Sequence, residues 1–367
     1  MNVPADVRSA RELSRAVAER DPALPDLGVV LDAGRRDEAF GGTTTLERLR
    51  YKRGAAIVAA VRDARGDPHW IVSYADAEKL SKSIRRAAGV GAATRRVTPR
   101  VLAGPAYADR LLASAVRRVF GAEAASFDGA DVLRYNPQRR LVVRRDGAAI
   151  KIAAGPSHVA AASLLAARGL PVLAPETLGE SATRTPWWGT TDLAHAGGRA
   201  LSHRAGEVLA RIHATPPEGL ALETLDASAV ARESAEAIAV LLPEAGERAG
   251  RLATALSGLR VTGGVLSHGD WSPDQVLVGG GDVRVIDLDR VVVAPPERDL
   301  ATFLVCGGDA AMLDGYRAAG GSFDADAIAG WQALAQLQRA VEPFRRGSDA
   351  WPEELEHAVA RAEELIR

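Results

Sequence analysis

Lysine is almost absent from this chain. Of its 46 basic residues only four are lysines, and the others are arginines. These positive charges are balanced by 47 acidic residues, which leaves a formal net charge of −1. A chain without excess positive charge has no general attraction for nucleic acid or for an anionic membrane surface. We therefore expect neither of these partners.

Cysteine and long apolar runs are also scarce. The single cysteine, Cys306, cannot form a disulfide within the chain, which indicates a reducing compartment, and its apolar neighbours favour a buried thiol over a nucleophile. No stretch has the length needed to cross a bilayer, and residues 1–21 lack the apolar core of a signal peptide. These absences predict a cytoplasmic location. They do not predict an oligomeric state.

One segment, residues 266–289, predicts a β-hairpin. It contains two short apolar runs, Val276–Val278 and Val283–Ile286, separated by a Gly-Gly-Gly-Asp loop that suits a tight reversal. If residue 278 pairs with residue 283, Gln275 lies opposite Ile286 at the open end of the hairpin. The alternative is a surface hairpin with ordinary turn-forming aspartates.

Three oxygen donors converge at this open end. Asp287 follows the second strand and lies beside Gln275, while Asp270 lies in the loop that leads into the first strand. Mg²⁺ is usually bound through one or two protein side chains together with phosphate oxygens and water. Gln275 and Asp287 would suffice as ligands, which leaves Asp270 to accept a proton from an attacking hydroxyl. The spacing therefore predicts phosphoryl transfer.

The same segment resembles the catalytic and metal loops of the aminoglycoside phosphotransferase family, a group of small-molecule kinases with a protein-kinase-like fold. The family pattern is His-Gly-Asp, four residues, Asn, and then Ile-Asp-x-Asp or Ile-Asp-x-Glu. Four residues match it directly: His268, Gly269, Asp270 and Asp287. Asp289 matches the second acid, whereas Gln275 replaces the asparagine. The resemblance implies that Asp270 is the base and that Asp287 binds Mg²⁺, with Asp289 as a further candidate ligand.

The resemblance covers about residues 130–345 and implies a fold. The segment Pro296–Ala301 resembles the one after the metal loop, which gives Asp299 a bracing role beside His268 as structural support. The predicted fold class is α+β, with a small β-rich lobe and a large helical lobe, preceded by a small α+β domain. The expected boundaries are 1–126 for this cap-like domain, 127–190 for the nucleotide-binding lobe and 191–367 for the catalytic and substrate lobe.

Lys151 is the only lysine after residue 82, and it lies in a strand-like run that follows a turn at Asp146-Gly147. An ammonium group can sit on the α- and β-phosphates of a nucleotide, a position that the larger guanidinium fork suits poorly. The sequence therefore predicts that Lys151 binds ATP or GTP. The alternative is a lysine that faces solvent by chance.

Two features expected beside such a lysine are missing. The helix predicted over residues 158–168, with Ser157 as its cap, contains no Glu to pair with Lys151. No glycine-rich turn precedes the lysine either. Arg139 and Arg140 could contact phosphate in its place, although a solvated basic turn is the alternative.

The first 126 residues need a separate explanation. A helix is predicted from Val7 to Ala18, a strand at Gly28–Leu31 and a linker from Thr94 to Pro105. Arg50-Tyr51 before residues 57–62 and Arg134-Tyr135 before residues 141–145 each begin a succession of turn, strand, turn, strand and helix. This similarity predicts a degenerate copy of the small lobe, and a cap domain with convergent composition is the alternative.

The acceptor is the least determined part of this prediction. Aromatic side chains and carboxylates that could line its site are Trp271, Trp331, Glu342 and Trp351. Such groups suit a hydroxyl-bearing sugar, aminosugar or aminoglycoside, while a structural role is the alternative. We expect a small-molecule kinase that uses Mg²⁺ with ATP or GTP. The competing hypothesis is a catalytically silent, pseudokinase-like module that only binds nucleotide.

Overall fold

The computed structural model describes residues 9–121, 127, 130–259 and 263–367, and the chain divides into two compact units. The first unit is made of residues 1–157, 178–184 and 341–355, and the second of residues 158–177, 185–340 and 356–367. The predicted α+β class is confirmed. No described helix is long and apolar enough to cross a membrane.

The bounds of the described elements follow in chain order. The strands are β1 Thr45–Lys52, β2 Ala56–Arg62, β3 Pro68–Tyr74, β4 Arg95–Arg96, β5 Val101–Pro105, β6 Asp131–Asn136, β7 Arg140–Arg145, β8 Ala148–Ala153, β9 Glu176–Thr177, β10 Ala182–Pro186, β11 Thr191–Asp192, β12 Val265–Ser267, β13 Val276–Gly279, β14 Asp282–Val285 and β15 Val292–Ala294. The helices are α1 Ala10–Glu19, α2 Leu27–Leu31, α3 Ala33–Phe40, α4 Ala77–Ala88, α5 Ala113–Phe120, α6 Ala160–Ala167, α7 Leu193–Ala196, α8 Arg199–His213, α9 Ala227–Leu241, α10 Pro243–Leu256, α11 Pro296–Val305, α12 Ala311–Ala318, α13 Ile328–Arg339, α14 Glu342–Arg346 and α15 Trp351–Leu365.

Two five-stranded sheets have the same strand order. The first runs β1-β2-β3-β5-β4 and the second runs β6-β7-β8-β10-β9. In each case a helix follows the third strand in sequence, α4 in the first and α6 in the second. The first strand of each sheet also contains an irregularity in its pairing with the second strand. This is the arrangement that a duplicated module would have.

The turn after the first strand is held in the same way in both sheets. In the first sheet, the buried carboxylate of Asp21 accepts hydrogen bonds from the Tyr51 hydroxyl at 2.7 Å and from the Gly54 backbone N–H at 2.8 Å. Gly54 has a φ of 69°, a left-handed conformation in which glycine carries no steric penalty. We call this arrangement the Asp–Tyr clamp.

The second sheet repeats the clamp with different residues. The buried Asp109 accepts hydrogen bonds from the Tyr135 hydroxyl at 2.8 Å and from the Gln138 backbone N–H at 2.7 Å. Gln138 lies three residues after its tyrosine, as Gly54 does, and has a φ of 60°. Burial raises the pKa of Asp109, and the hydrogen bonds that it accepts oppose part of this rise. Common descent of the two modules stays a prediction, which the repeated clamp supports.

The two sheets differ in how their central strands are buried. In β7 and β8 buried residues alternate with more exposed ones, so one face of the sheet is covered and the other is more open. In β2 and β3 the buried residues run without alternation. Val142 pairs with the half-buried Lys151 in the second sheet, and at the matching place of the first sheet Val58 pairs with the buried Val72.

Three local predictions are wrong. The apolar run expected as a strand at residues 28–31 forms helix α2, because a run of this length suits either structure. The expected linker at 94–105 contains β4 and the buried strand β5. Ser157 is not a helix cap, since α6 begins at Ala160 and has Val159 at its N-cap. Val7, residues 128–129 and the boundary at residue 126 lie outside the described residues or at their edge.

The second unit is mainly helical and contains two small sheets. One has the order β11-β13-β14 and the other pairs β12 with β15. Buried side chains of α8, α11 and α12 form one hydrophobic cluster with those of β13 and β14. The predicted loops that follow β12 and β14 are therefore fixed to a continuous core.

The clamp in the second sheet leads to a prediction about stability. The substitution Tyr135→Phe removes one donor to a buried carboxylate, so it should lower the free energy of unfolding by about 1–3 kcal/mol. Chemical denaturation measures this difference. Tyr107→Phe is the matched control, because that hydroxyl makes no hydrogen bond to a described residue. Equal stability of the two variants would contradict the importance of the clamp.

Candidate functional site: the loop between β12 and β15

The predicted hairpin register is confirmed. Val278 pairs with Val283, and the turn residues Gly280 and Gly281 have φ angles of 60° and 79°, as expected for a two-residue reversal. Beyond the last strand pair, the Ile286 N–H donates to the backbone oxygen of Gln275 at 3.1 Å. Gln275 and the residue before Asp287 are therefore joined directly.

His268 connects the preceding loop to this hairpin. Its side chain is fully buried, and its Nε2 lies 3.0 Å from the carbonyl oxygen of Ile286, to which it donates. The Nδ1 atom lies 3.4 Å from the backbone N–H of Asp270 and is placed to accept from it. The imidazole thus fixes the backbone of Asp270 relative to the strand end that precedes Asp287. This placement agrees with the predicted supporting role of His268.

Asp299 holds the same loop by hydrogen bonds to its backbone. This carboxylate is fully buried near the start of α11 and accepts hydrogen bonds from the backbone N–H groups of His268 at 2.6 Å and Gly269 at 3.1 Å. His213 at the end of α8 donates from Nε2 to the same carboxylate at 3.1 Å, and its Nδ1 lies 2.8 Å from the Tyr316 hydroxyl. One buried acid therefore joins the loop to two helices.

The charge of Asp299 is stabilised by these contacts. Burial alone would raise the pKa of its carboxyl, but the hydrogen bond from His213 and nearby positive groups, including Arg298, lower the pKa from 3.8 to about 2. Because the folded protein holds the carboxylate more firmly than an unfolded chain does, this stabilisation is complete above pH 3.8 and is lost as the pH falls towards 2.

The backbone of Gly269 passes close to the segment after the hairpin. Its φ is 79°, and a side chain at this position would collide with the carbonyl oxygen of Arg290. The buried guanidinium of Arg298 donates from Nη2 to the Gly269 carbonyl oxygen at 3.2 Å and contacts the Thr302 hydroxyl. The glycine of the His-Gly-Asp motif is therefore required by steric contact and by backbone conformation.

Asp270 differs from its neighbours because solvent reaches it. Its side chain is 29% exposed, and Oδ2 forms an ion pair with Nη1 of Arg290 at 3.2 Å. Oδ1 makes no hydrogen bond to a described residue. The carboxylate is thus partly open to solvent and keeps one oxygen without a described protein donor, as an acceptor for a hydroxyl proton requires.

The candidate metal ligands have the donor atoms that Mg²⁺ prefers. Gln275 donates from Nε2 to Asp274 at 3.0 Å, which leaves its amide oxygen as the atom able to bind a metal. Asp287 has a φ of 62°, an uncommon conformation that aspartate tolerates better than most residues. Within the described ranges, no group of three or more His, Cys, Asp or Glu side chains is arranged to hold a metal ion. A site of one amide, one or two carboxylates and phosphate oxygens fits these residues.

Comparison with known proteins agrees with this arrangement. A model of the phosphotransferase enzyme family, APH, matches residues 122–341, which include the whole loop and hairpin. The chain belongs to this family. No curated protein sequence gives a significant match.

Solved structures are similar at low sequence identity. A choline/ethanolamine kinase family protein from Mesorhizobium loti has a TM-score of 0.51 at 16% identity, and the alignment covers 70% of this chain and 94% of that one. A choline kinase from Streptococcus pneumoniae has a TM-score of 0.50 at 12% identity, with coverages of 68% and 99%. The aminoglycoside phosphotransferase APH(3'')-Id from Streptomyces rimosus has a TM-score of 0.47 at 19% identity, with coverages of 62% and 98%. The first two similarities, together with the family match, show a protein-kinase-like fold.

The nucleotide-binding residues predicted from the sequence lie in the first unit. Lys151 is half-buried on β8, and the turn before it has positive φ at Asp146 and Gly147, as the sequence predicts. Arg139 is exposed in the turn between β6 and β7, and Arg140 begins β7. The helix that follows contains no glutamate, as predicted. The nucleotide role of these three side chains stays a prediction.

The predicted acceptor residues do not form a wall that is open to solvent. The three tryptophans are 0%, 2% and 3% exposed, at Trp271, Trp331 and Trp351 respectively. Trp271 packs against His268 and Phe303, so it supports the loop from inside. Burial of such large apolar side chains is the ordinary outcome of folding, and the sequence pattern could not distinguish it from a binding role.

Glu342 is also placed differently from the prediction. It lies at the start of α14 in the first unit, where Arg48 donates to it twice, at 2.6 and 3.2 Å, and Arg345 once, at 2.7 Å. Burial opposes its charge, but these arginines outweigh it and lower the pKa of Glu342 from 4.5 to about 2. The carboxylate therefore connects α14 to β1 and is already neutralised.

Sequence reasoning missed three residues of the site. His213 and Arg298 are buried around the loop, and Arg290 pairs with Asp270. A histidine at the end of a predicted helix and an arginine next to a predicted bracing aspartate were available as signals. The contact partners of these residues could not be identified from the sequence, because His213 and Asp299 are 86 residues apart.

The contacts of Asp299 predict a pH-dependent loss of stability in Asp299→Asn. An amide has one acceptor oxygen for three donors, so the free energy of unfolding at neutral pH should fall by about 2–4 kcal/mol. The difference from the unsubstituted protein should shrink as the pH is lowered from 3.8 towards 2, where that protein's own carboxylate becomes protonated. Denaturant titration at several pH values measures both effects. Asp326→Asn, an exposed substitution in the same unit, is the control and should have little effect on stability. If the difference in stability between Asp299→Asn and the unsubstituted protein stayed constant at all pH values, the assignment would be refuted.

Proposed function

We propose that the protein is a small-molecule kinase that transfers the γ-phosphate of ATP or GTP to a hydroxyl group, with Asp270 as the base. One observation carries this proposal. In a chain of the phosphotransferase family, the partly exposed carboxylate of Asp270 lies on a loop that Asp299 holds in place. His268 joins this loop to Ile286, at the end of the hairpin that carries Gln275 and Asp287. Fixed positioning is the main contribution that a protein makes to phosphoryl transfer.

In this proposal Asp270 accepts the proton of the acceptor hydroxyl as the hydroxyl oxygen bonds to the γ-phosphorus. The bond between that phosphorus and the β,γ-bridging oxygen breaks, and ADP or GDP leaves with that oxygen. The free Oδ1 is the atom suited to this step, because Oδ2 is paired with Arg290. The Asp270 backbone is held through His268, so the carboxylate need not be ordered again for each reaction. The proton therefore passes to an oxygen whose position is set before the acceptor binds.

Gln275 and Asp287 would hold Mg²⁺, with the exposed Asp289 as a further candidate. When bound, the metal would neutralise phosphate charge and orient the transferred group. Lys151 would bind the phosphates in the same proposal, and Arg139 and Arg140 would be additional contacts. The side chain of Gln275 is longer than that of asparagine, but its amide oxygen is a ligand of the same type.

For the acceptor we propose a sugar, an aminosugar or an aminoglycoside. Solved structures with a similar fold are named for choline and ethanolamine kinases, so amino alcohols belong in the same screen. The buried tryptophans do not help to distinguish these classes. A screen of these compounds for phosphate transfer from ATP and from GTP addresses the acceptor and the donor together.

The role of Asp270 is tested by Asp270→Asn. Loss of a general base should lower kcat by about 10²–10⁴-fold, while the unfolding midpoint should change little because the side chain is partly exposed. Steady-state kinetics with the best acceptor of the screen measures the effect. Asp314→Asn makes the same chemical change at an exposed ion pair of the second unit and should leave kcat unchanged. If Asp270→Asn kept more than about a tenth of the activity, Asp270 would not be the base.

A catalytically silent module that binds nucleotide is the second candidate. Three observations favour it: α6 lacks a glutamate, the turn before β7 lacks glycine, and Gln275 replaces the family's asparagine. In this case no acceptor would be phosphorylated although nucleotide binds. That result would place the silent module ahead of the kinase.

Gln275→Asn distinguishes the two candidates. In a kinase weakened by altered metal geometry, restoring the shorter amide should raise turnover and lower the Mg²⁺ concentration needed for half-maximal rate. In a silent module it should change neither quantity. Rates over a series of Mg²⁺ concentrations measure this. Gln338→Asn on α13 is the control for the substitution itself, and should behave like the unsubstituted protein.

A further inference from the structure

A basic pocket lies in the first unit, between α4 and the segment around α5. Its volume is about 640 Å³. Five of the side chains that line it are positively charged, namely Lys82, Arg85, Arg86, Arg110 and Arg117. No carboxylate is among the lining residues. The net charge of the whole chain is −1, so the positive charge of this cavity is a local feature and does not reflect the composition of the chain.

The charges of the pocket are incompletely neutralised by the protein. Of the five, only Lys82 has a described carboxylate partner, Glu78 at 3.0 Å, in an exposed pair. Arg86 donates to the Ser114 hydroxyl at 2.9 Å, and Arg117 donates to the Gly89 carbonyl oxygen at 3.1 Å. Neutral acceptors of this kind orient a guanidinium but leave its charge available to an anion.

Arg110 adds a further cation to the wall of the pocket. Its Nη2 donates to the Gln138 side-chain oxygen at 3.1 Å, another neutral acceptor, and its guanidinium lies 6.0 Å from the centroid of the Tyr74 ring. Phosphate oxygens are the acceptors that guanidinium groups bind best.

We propose that this pocket binds a small anion with two or more phosphate groups. Its cations come from two walls, with Arg85 on α4 and Arg117 on α5, and together they exceed the charge of one phosphate. An open cavity of this size can take a molecule such as pyrophosphate or a nucleoside polyphosphate. Nucleic acid would need basic groups along an extended surface, which the overall charge balance disfavours.

The site also has a connection to the second sheet. Arg110 contacts the side chain of Gln138, whose backbone N–H is held by Asp109 in the turn between β6 and β7. Arg139 of that turn is a candidate phosphate contact of the proposed kinase. Binding at the pocket is nevertheless independent of kinase activity, because none of its cations belongs to the proposed catalytic machinery.

The test is isothermal titration calorimetry of the full chain with inorganic pyrophosphate and no divalent metal. We expect saturable binding that is at least about tenfold weaker in the double variant Arg85→Gln/Arg117→Gln. The matched control is Arg65→Gln/Arg118→Gln, which removes two exposed arginines of the same unit that do not line the pocket. The control should bind pyrophosphate as the unsubstituted protein does, and thermal unfolding should show that both double variants are folded.

Two further arms separate this pocket from other sites. Lys151→Ala should leave pyrophosphate binding unchanged, so a loss confined to this variant would assign the anion to the proposed nucleotide site and overturn the pocket. A single-stranded oligonucleotide should bind more weakly than pyrophosphate. The proposal would be overturned if the oligonucleotide bound more tightly than pyrophosphate and this binding depended on Arg85 and Arg117. It would also be overturned if both double variants bound pyrophosphate with equal affinity.

Discussion

The organisation of the candidate site depends on the buried carboxylate of Asp299. It satisfies two backbone N–H groups of the His-Gly-Asp loop and a histidine from α8, so three separate segments share one charge. A charge placed out of water is costly unless it is paired and hydrogen-bonded, and here three donors bond to the carboxylate. This requirement ties the loop to α8 and α11. These two helices therefore fix the position of the loop that carries the partly exposed carboxylate of Asp270.

The hairpin could be predicted from sequence because its information is local. A glycine-rich turn between two apolar runs determines which residues pair, and the register determines that Gln275 meets Ile286. The same reasoning did not reach Arg290 or His213, whose importance comes from contacts across the fold. Nor could it assign the tryptophans, because an indole near a motif can pack inward or outward with equal local preference.

In the first 121 residues, sequence predicted the strands better than the tertiary contacts. The strand, turn, strand and helix predicted after Arg50-Tyr51 are present as β2, β3 and α4, whereas the apolar run of α2 was too short to distinguish helix from strand. The Asp–Tyr clamps could not be predicted, since the aspartate and tyrosine are 30 residues apart in one copy and 26 in the other. Their repetition is visible only when side-chain contacts are compared.

Val72 of the first sheet stands where the second sheet has Lys151, and this difference limits the first sheet to packing. Val58 and Val72 lie in the same hydrophobic cluster as Leu141 and Ile150 of the second sheet. Lys151 and Val72 occupy matching faces of the two sheets. In the second sheet this face carries the lysine, and in the first sheet it packs against the opposite face of the second sheet. An ammonium at position 72 would be enclosed in hydrocarbon without a counter-charge. In the proposal that Lys151 binds phosphate, the first sheet lacks the corresponding cation and uses the matching face for packing.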